Sequence, residues 1–544
     1  MKWWGWGDPR ESFPLPQRAA DLLRREIGLA QQRRSPVALE DVRLSEPGLP
    51  PGFRDRLARI VGAESVRDDR RARVLHAAGK GYPDLVRQRS GQCEQAPDAV
   101  VAPNSHESVR AVLDACAKAG VAVVPFGGGT SVVGGVEPLR GAFPAVIAVD
   151  LGRLDSLVGL DECSLVAVLQ PGLRGPEAEA LLARRGLTLG HFPQSFRYGS
   201  LGGFAATRSV GQASTGYGRF DELVQGLRCA APAGDVDLAT VPASAAGPSV
   251  RELIVGSEGT LGVITELALR VRPRPRSRRY EGWVFRSFAD GVDALRTLEQ
   301  QGAAPHVARL SDEEETRVSM ALAGGGLRNE AGRVYLRARG YAAGCLVIVG
   351  WEGTPETVRR RHALGARLLR RAGGLALGRG PGAAWERTRF ATPYLRDELL
   401  ERGVMVETLE TATTWSNLLA LHQAVAAALQ RALAARGTPP IVMCHMSHLY
   451  PTGASLYFTF LARQEADRPV EQWRAAKHAA SEAIVCGGGT ISHHHAVGRD
   501  HASWLASEVG VLGVQALRSA KSALDPAGIM NPGKLLPEPG DQPV

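Results

Sequence analysis

A chain of 544 residues has room for two or three domains and a substantial core, and 44% hydrophobic with 22% charged residues is the make-up of an ordinary globular protein. The formal net charge of +9 rests mostly on scattered arginine with no recognised nucleic-acid motif beside it, which argues against nucleic acid as a partner. Seven cysteines, odd in number and without a CxxC pair, argue against a disulfide framework or a structural zinc site.

In chain order, Met1-Lys-Trp-Trp-Gly-Trp-Gly7 is an aromatic lead, with Trp3, Trp4 and Trp6 dense enough to anchor it on the main body. It has no apolar core of a secretory signal, and no stretch reaches the ~20 apolar residues of a membrane span, so a cytoplasmic location is expected. Asp21–Ile27 has helical spacing, and Pro47–Pro51 marks a break. Residues 1–95 thus read as a helical segment.

From about residue 96 strands and helices alternate. Ala99–Ala102 reads as a strand, and Ser105–Cys116 as a helix capped by Ser105. The apolar run Val121–Val124 leads as a buried, parallel-type strand into Pro125-Phe-Gly-Gly-Gly-Thr-Ser-Val-Val-Gly-Gly135. Five glycines in eleven residues exceed the needs of a tight turn and suit a concavity of bare N–H groups for a pyrophosphate. The spacing is neither GxGxxG nor GxxxxGK[ST]. Strands are expected at Ala145–Leu151 and Leu165–Leu169, and a helix at Pro176–Arg185. Two more small-residue turns follow, Tyr198–Ser209 opening into a helix and Ile254–Glu266 feeding a strand. Together the three turns suggest one long ligand gripped at several points.

Pro273-Arg-Pro-Arg276 marks a boundary. Beyond it, residues 323–327 and 379–383 read as mobile loops, and the arginines at 359–361, 367, 370 and 371 as a solvated helix face. A helix is expected around Val514–Leu524 in the tail.

Ser492-His-His-His-Ala-Val-Gly498 carries the sharpest chemical signal. Imidazole titrates nearest neutral pH, so an acid/base cluster is favoured over a surface run. No carboxylate or cysteine stands at a familiar ligand spacing, and no metal is expected there. Cys444-His-Met-Ser-His448 invites a metal reading through His445 and His448. Tyr457, on the alternating strand Ala454–Phe460, reads from spacing alone as a core aromatic. Arg396 falls early in a helix, open either to an ion pair or to a substrate phosphate.

In combination these stretches resemble the vanillyl-alcohol-oxidase type of flavoprotein and, within it, the alkyldihydroxyacetonephosphate synthases. The resemblance runs from the tryptophan lead through the glycine loop, Gly256–Glu266, Tyr394–Asp397, Glu407–Thr411 with Trp415, and Leu456–Phe458 to Ser492–His495. It implies an α+β fold: a PCMH-type FAD-binding domain of two subdomains (96–276), an α/β cap for substrate (277–500), and a tail (501–544) returning to the FAD domain. Pro125, Phe126, Gly127, Gly128, Gly129, Thr130 and Ser131 would hold the FAD pyrophosphate, helped by Pro193, Ser195, Gly202, Thr207 and Ser209. Glu258, Gly259, Thr260, Val263 and Ile264 would line the flavin. Arg396 would meet the substrate's anionic end, and Tyr457, His493, His494 and His495 match the family's active-site tyrosine and histidines.

The implied reaction exchanges the acyl group of acyl-dihydroxyacetone phosphate for a long-chain fatty alcohol, without net redox change. A histidine or tyrosinate would remove a proton beside the ketone while flavin N5 traps the carbon. An apolar tunnel within 277–500, peripheral membrane contact, a homodimer and non-covalent FAD are expected, the last because the 125–135 loop holds no His or Cys. Two stretches depart from the eukaryotic pattern: Arg208–Gly218 lacks an expected basic pair, and Cys444–His448 differs. The alternative is an FAD-dependent D-2-hydroxyacid dehydrogenase or oxidase, which shares the Gly488–Thr490 and Asn531–Lys534 neighbourhoods. Against it, His494 stands where those enzymes carry Glu, and Tyr450-Pro-Thr-Gly453 replaces their Gly-Asp-Gly-Asn. A flavin-binding scaffold without catalysis is the third reading, disfavoured by Arg396, Tyr457 and the histidines.

Overall fold

The computed structural model describes residues 1–30, 33–323 and 327–537. Strands β1 (Val66–Arg67), β2 (Ala99–Val101), β3 (Val121–Phe126) and β4 (Ala145–Asp150) form a sheet of order β1-β2-β4-β3. The β2–β4 and β3–β4 pairs are parallel, and their near-continuous apolar runs are buried on both faces, as a covered parallel sheet requires. Ser105 caps the intervening helix His106–Ala119 by accepting from Ser108 N.

Strands β5 (Leu157–Asp161), β6 (Val166–Leu169), β7 (Leu187–Thr188), β8 (Val224–Ala231), β9 (Gly234–Leu238), β10 (Val263–Arg270) and β11 (Arg272–Pro273) follow. Five of them pair in the order β5-β6-β10-β8-β9, while β7 and β11 stand apart as a two-stranded pair. The C-terminal segment returns to the first sheet: Val123 N donates to Ile529 O and Asn531 N to Val123 O, both at 2.8 Å. Asn531 Nδ2 then reaches Gly135 O at 3.1 Å and Glu258 O at 2.7 Å, tying the glycine loop to the third small-residue turn.

Strands β12 (Ser277–Phe285), β13 (Val307–Ser311), β14 (Cys345–Gly353), β15 (Leu375–Gly378), β16 (Val404–Thr414), β17 (Ile441–Tyr450) and β18 (Gly453–Arg463) build an antiparallel sheet of order β15-β12-β14-β13-β17-β18-β16. Helices Phe288–Gln300, Pro355–Arg371, Leu418–Ala434 and Pro469–Cys486 share one apolar core with this sheet. The arginines at 359, 360, 367, 370 and 371 are exposed, as a solvated helix face should be, while Arg361 is half-buried and donates to Ala304 O.

Two expectations change. The stretch 379–383 is the first turn of the helix Arg379–Thr388, not a mobile loop. Of its two glycines Gly382 has a packing reason: a Cβ there would lie 2.4 Å from the Tyr280 carbonyl carbon, so only a bare backbone lets the helix lie this close to β12. Residues 324–326 of the other expected loop lie outside the described residues.

The aromatic lead is packed on the body as expected. Asp397 accepts from Trp6 N at 3.0 Å and pairs with Lys2 Nζ at 3.2 Å, and the buried Lys80 donates to the carbonyls of Lys2 and Trp3. Among the described residues no helix is long and apolar enough to cross a membrane.

Candidate active site

Three turns close on one another at the end of β3. A Cβ on Gly128 would sit 1.9 Å from the carbonyl oxygen of Tyr198, and one on Gly127 would sit 2.1 Å from Ser200 Oγ. Gly259, at φ +73°, lies under the Pro125 ring, where a Cβ would approach to 2.8 Å. Around this junction runs a cavity of about 470 Å³. It is lined by Pro125, Phe126, Gly127, Gly128, Gly129, Thr130, Ser131, Pro193, Ser195, Gly202, Thr207, Ser209, Glu258, Gly259, Val263 and Ile264. A side-chain-free cradle flanked by the hydroxyls of Thr130 and Ser131 fits the pyrophosphate of a dinucleotide. Thr260 is the exception among the cofactor positions. Its side chain is buried and its hydroxyl donates to Ser257 O at 2.8 Å, so it closes the turn and does not face the cavity.

The cavity continues onto the face of the third sheet. Register places His445 of β17, Tyr457 of β18 and Glu410 of β16 directly opposite one another in one row. Glu410 is 2% exposed, and its carboxylate organises the histidine turn. Oε2 accepts from His493 N at 2.5 Å, and Oε1 accepts from Ser492 Oγ, His494 N and His495 N at 2.9, 3.1 and 2.7 Å. Burial works to raise the Glu410 carboxyl, but the hydrogen bonds from the amides of the histidine turn hold it well below the usual carboxylate range. Burial pushes His493 and His495 down to about 3 and lowers His494 as well, so the triplet is neutral at physiological pH.

The three histidines do not act alike. His494 and His495 line the cavity, whereas His493 does not. Its Nε2 is engaged by Tyr450 Oη at 2.6 Å, and its ring stacks on His448 at 5.5 Å, so of the three matched histidines it stands behind the cavity wall. Tyr457 faces the cavity between His445, stacked at 4.9 Å, and His494, stacked at 5.8 Å. Burial raises its phenol to about 12, so Tyr457 is a hydrogen-bond donor here and not a tyrosinate.

Sequence spacing alone would put His445 and His448 on opposite faces of β17. A bulge between Ser447 and Leu449, with His448 at φ +53°, turns both into the cavity. The metal reading for this pair loses weight, because His445 Nδ1 is bound to Glu315 at 3.1 Å while His448 stacks on His493. Glu410, His493 and His494 do bring ligand atoms within 4.8 Å of one another, yet the Glu410 oxygens already accept four hydrogen bonds. Arg396 lies in the helix Thr392–Glu401, lines the cavity and makes no ion pair among the described residues. Arg309, paired with Glu315 at 2.7 Å, also lines the cavity; in the sequence nothing distinguishes it from the other scattered arginines.

Away from the histidines the same sheet face turns apolar. The next row is Met443, Thr459 and Thr408, and the one after it Ile441, Leu461 and Val406. Helix Glu313–Leu322 contributes Val318, Ala321 and Leu322 to the walls, and helix Thr392–Glu401 contributes Leu395 and Leu399. The remaining wall comes from outside 277–500: Leu15 and, on helix Gln17–Glu26, Ala19, Leu22 and Leu23. The expected apolar tunnel therefore borrows its far side from the N-terminal segment. The signal was the apolar stripe of that helix, which has no other core to join.

Comparison with known proteins gives a consistent picture. A family model described as "FAD binding domain" matches residues 97–238, and one described as "FAD linked oxidases, C-terminal domain" matches residues 274–535. The chain is 32% identical to the alkyldihydroxyacetonephosphate synthase of Dictyostelium discoideum, over 99% of this chain and 93% of that one. It is 34% identical to the alkyldihydroxyacetonephosphate synthase of Trypanosoma brucei brucei, over 91% of this chain and 82% of that one. A solved alkyldihydroxyacetonephosphate synthase superposes with a TM-score of 0.86 at 30% identity, covering 98% of each chain.

Proposed function

Because the chain belongs to the FAD-linked oxidase family, in its alkyldihydroxyacetonephosphate synthase-like branch, we propose that it exchanges the acyl group of acyl-dihydroxyacetone phosphate for a long-chain alcohol. FAD is the cofactor, and the residues around the glycine cradle would hold it. The observation that carries the reading is the joining of two environments in one cavity. Neutral histidines and Arg396 stand at one end, and a chamber walled by three helices stands at the other.

When bound, FAD supplies an electrophilic ring nitrogen. The chain's own groups have complementary tasks. The Arg396 guanidinium meets the phosphate as a planar fork of donors. The neutral ring of His494 or His495 accepts the proton from the carbon between the ketone and the ester oxygen, and later returns it. Tyr457 Oη, protonated, donates to the ketone oxygen. The bond from that carbon to the ester oxygen breaks and the fatty acid leaves with both its oxygens; the alcohol oxygen bonds to the same carbon, and its proton goes to the departing carboxylate. The apolar chamber takes the two chains in turn and keeps water from competing with the alcohol. Substrates of this kind reside in bilayers, so peripheral membrane contact belongs to the same proposal.

Incubating the FAD-loaded protein with palmitoyl-dihydroxyacetone phosphate and labelled hexadecanol tests the reading. Labelled ether lipid and released palmitate are expected. Absence of labelled ether, together with flavin bleaching by D-lactate or another 2-hydroxyacid, replaces the reading with the dehydrogenase alternative.

A further inference from the structure

We propose that Glu410 is a positioning residue for proton transfer: its carboxylate fixes the main chain of Ser492–His495 and presents a standing negative charge 3.7 Å from a ring nitrogen of both His494 and His495. Its activity readout rests on the function proposed above; a second readout does not.

A buried carboxylate is normally matched by a resident cation. Glu410 has no lysine or arginine partner among the described residues. Its charge is spread over three consecutive amide N–H groups and one hydroxyl. Only a carboxylate can accept from that set, since a glutamine would turn an NH2 toward one of the amides. The anion is thus built in before its counter-charge exists. When His494 or His495 takes a proton, an imidazolium appears beside a charge that is already oriented, so the step needs little reorganisation. Burial in the resting site lowers both rings, and the Glu410 charge acts in the opposite sense on each. The other titratable groups around these rings are His493 on the same turn, His445 and His448 on β17, and Tyr457 on β18, with Arg219, Lys477 and His501 beyond. Three further acids lie around the turn: Glu315, held by Arg309 and His445, Glu508, which accepts from Ile491 N, and Glu258, which accepts from Val497 N and Gly498 N. Glu410 is the carboxylate whose charge acts on both His494 and His495, and it stabilises the protonated ring.

The test compares the FAD-loaded wild type with Glu410→Gln and Glu410→Asp. Glu410→Gln is expected to keep its FAD absorbance and to lose about 10²-fold in kcat with KM changed less than about threefold, the low end of what proton transfer contributes. Glu410→Asp keeps the charge and should recover about ten-fold of that loss. A Glu410→Gln enzyme within about threefold of wild-type kcat overturns the proposal, as does a Glu410→Asp enzyme no faster than Glu410→Gln. The second readout is the rate at which diethyl pyrocarbonate acylates His494 and His495 at neutral pH, mapped by mass spectrometry. Attack places positive charge on the ring, so Glu410→Gln should slow it about ten-fold. If Glu410→Gln fails to retain FAD, Glu410→Asp decides: acylation within about threefold of wild type supports the charge, and a ten-fold drop overturns it. If the wild type makes no ether lipid, the function proposal fails, while the acylation rates still judge Glu410.

Discussion

Glu258 should make the folded protein less stable as pH rises through the weakly acidic range. The residue sits at φ +55° in the third small-residue turn, 8% exposed. Its carboxyl accepts from Val497 N at 2.9 Å and from Gly498 N at 2.8 Å, so it clasps the far end of the histidine turn from the cofactor side. Burial raises its pKa from 4.5 to about 7, while those two amides and the charge of Lys534 pull the other way. Between these values the folded chain keeps a proton that the unfolded chain has released. Stability attributable to Glu258 therefore falls from pH 4.5 to about 7 and is flat above that. At 1.36 kcal/mol per pH unit the window is worth about 3 kcal/mol. In a chain of 544 residues unfolding as one unit this is about 3 °C in Tm. Glu258→Gln removes the titration. Its amide changes the hydrogen bonding by an amount that does not depend on pH, and every other group cancels in the difference. Melting of wild type and variant is followed by scanning fluorimetry from about pH 5 to about pH 8, and the variant should gain about 3 °C relative to wild type across that range. A difference that stays within about 1 °C over the whole range would refute the argument that burial dominates at this carboxyl.

Two further outcomes follow from the cavity. Gly128→Ala forces a Cβ to 1.9 Å from the Tyr198 backbone carbonyl oxygen, which has no flexible end to swing away, so the purified variant should lack flavin absorbance; Gly332→Ala, in open space, should be yellow. Ala19→Phe fills the wall supplied by the N-terminal helix and should exclude the last few methylenes of a long alcohol. At about 0.8 kcal/mol per methylene, displacing four costs about 3 kcal/mol, or about 10²-fold in kcat/KM for hexadecanol relative to decanol. Equal losses for both alcohols would place the chain elsewhere.

The features legible in the sequence were those whose chemistry is local. A backbone that must pass a carbonyl without a Cβ can only be glycine, so Gly127–Gly129 announced a cradle before any partner was known. Ser105 declared its cap, and three adjacent histidines marked the turn that Glu410 gathers. What stayed silent depends on pairing across the chain. Glu410 looks like any acid on an alternating strand, and its significance comes from amides more than 80 residues away. His493 and His494 are neighbours in sequence, yet the turn sends one ring to Tyr450 and the other to the cavity. The 379–383 stretch misled for a related reason: glycine and proline punctuate loops, but the same smallness serves a helix pressed against β12.

The order of the site follows from the pleat of one sheet. Along β16, β17 and β18 every second residue points to the cavity side of the sheet, so successive rows lie about 7 Å apart. Glu410, Tyr457 and His445 make the polar row, Thr408, Thr459 and Met443 the transition, and Val406, Leu461 and Ile441 the apolar end. In the proposed function, register would space proton chemistry from chain binding by about 14 Å, over two rows. A slip of one residue in β18 would carry Tyr457 and Leu461 to the helix-covered face and bring Leu456, Phe458 and Phe460 to the cavity. The bulge at His448 is the single place where β17 breaks the alternation, and it adds a second imidazole to the polar end without disturbing the apolar rows. Sequence alternation that reads as nothing more than a strand is, in the folded chain, what sets the distance between the polar row and the apolar one.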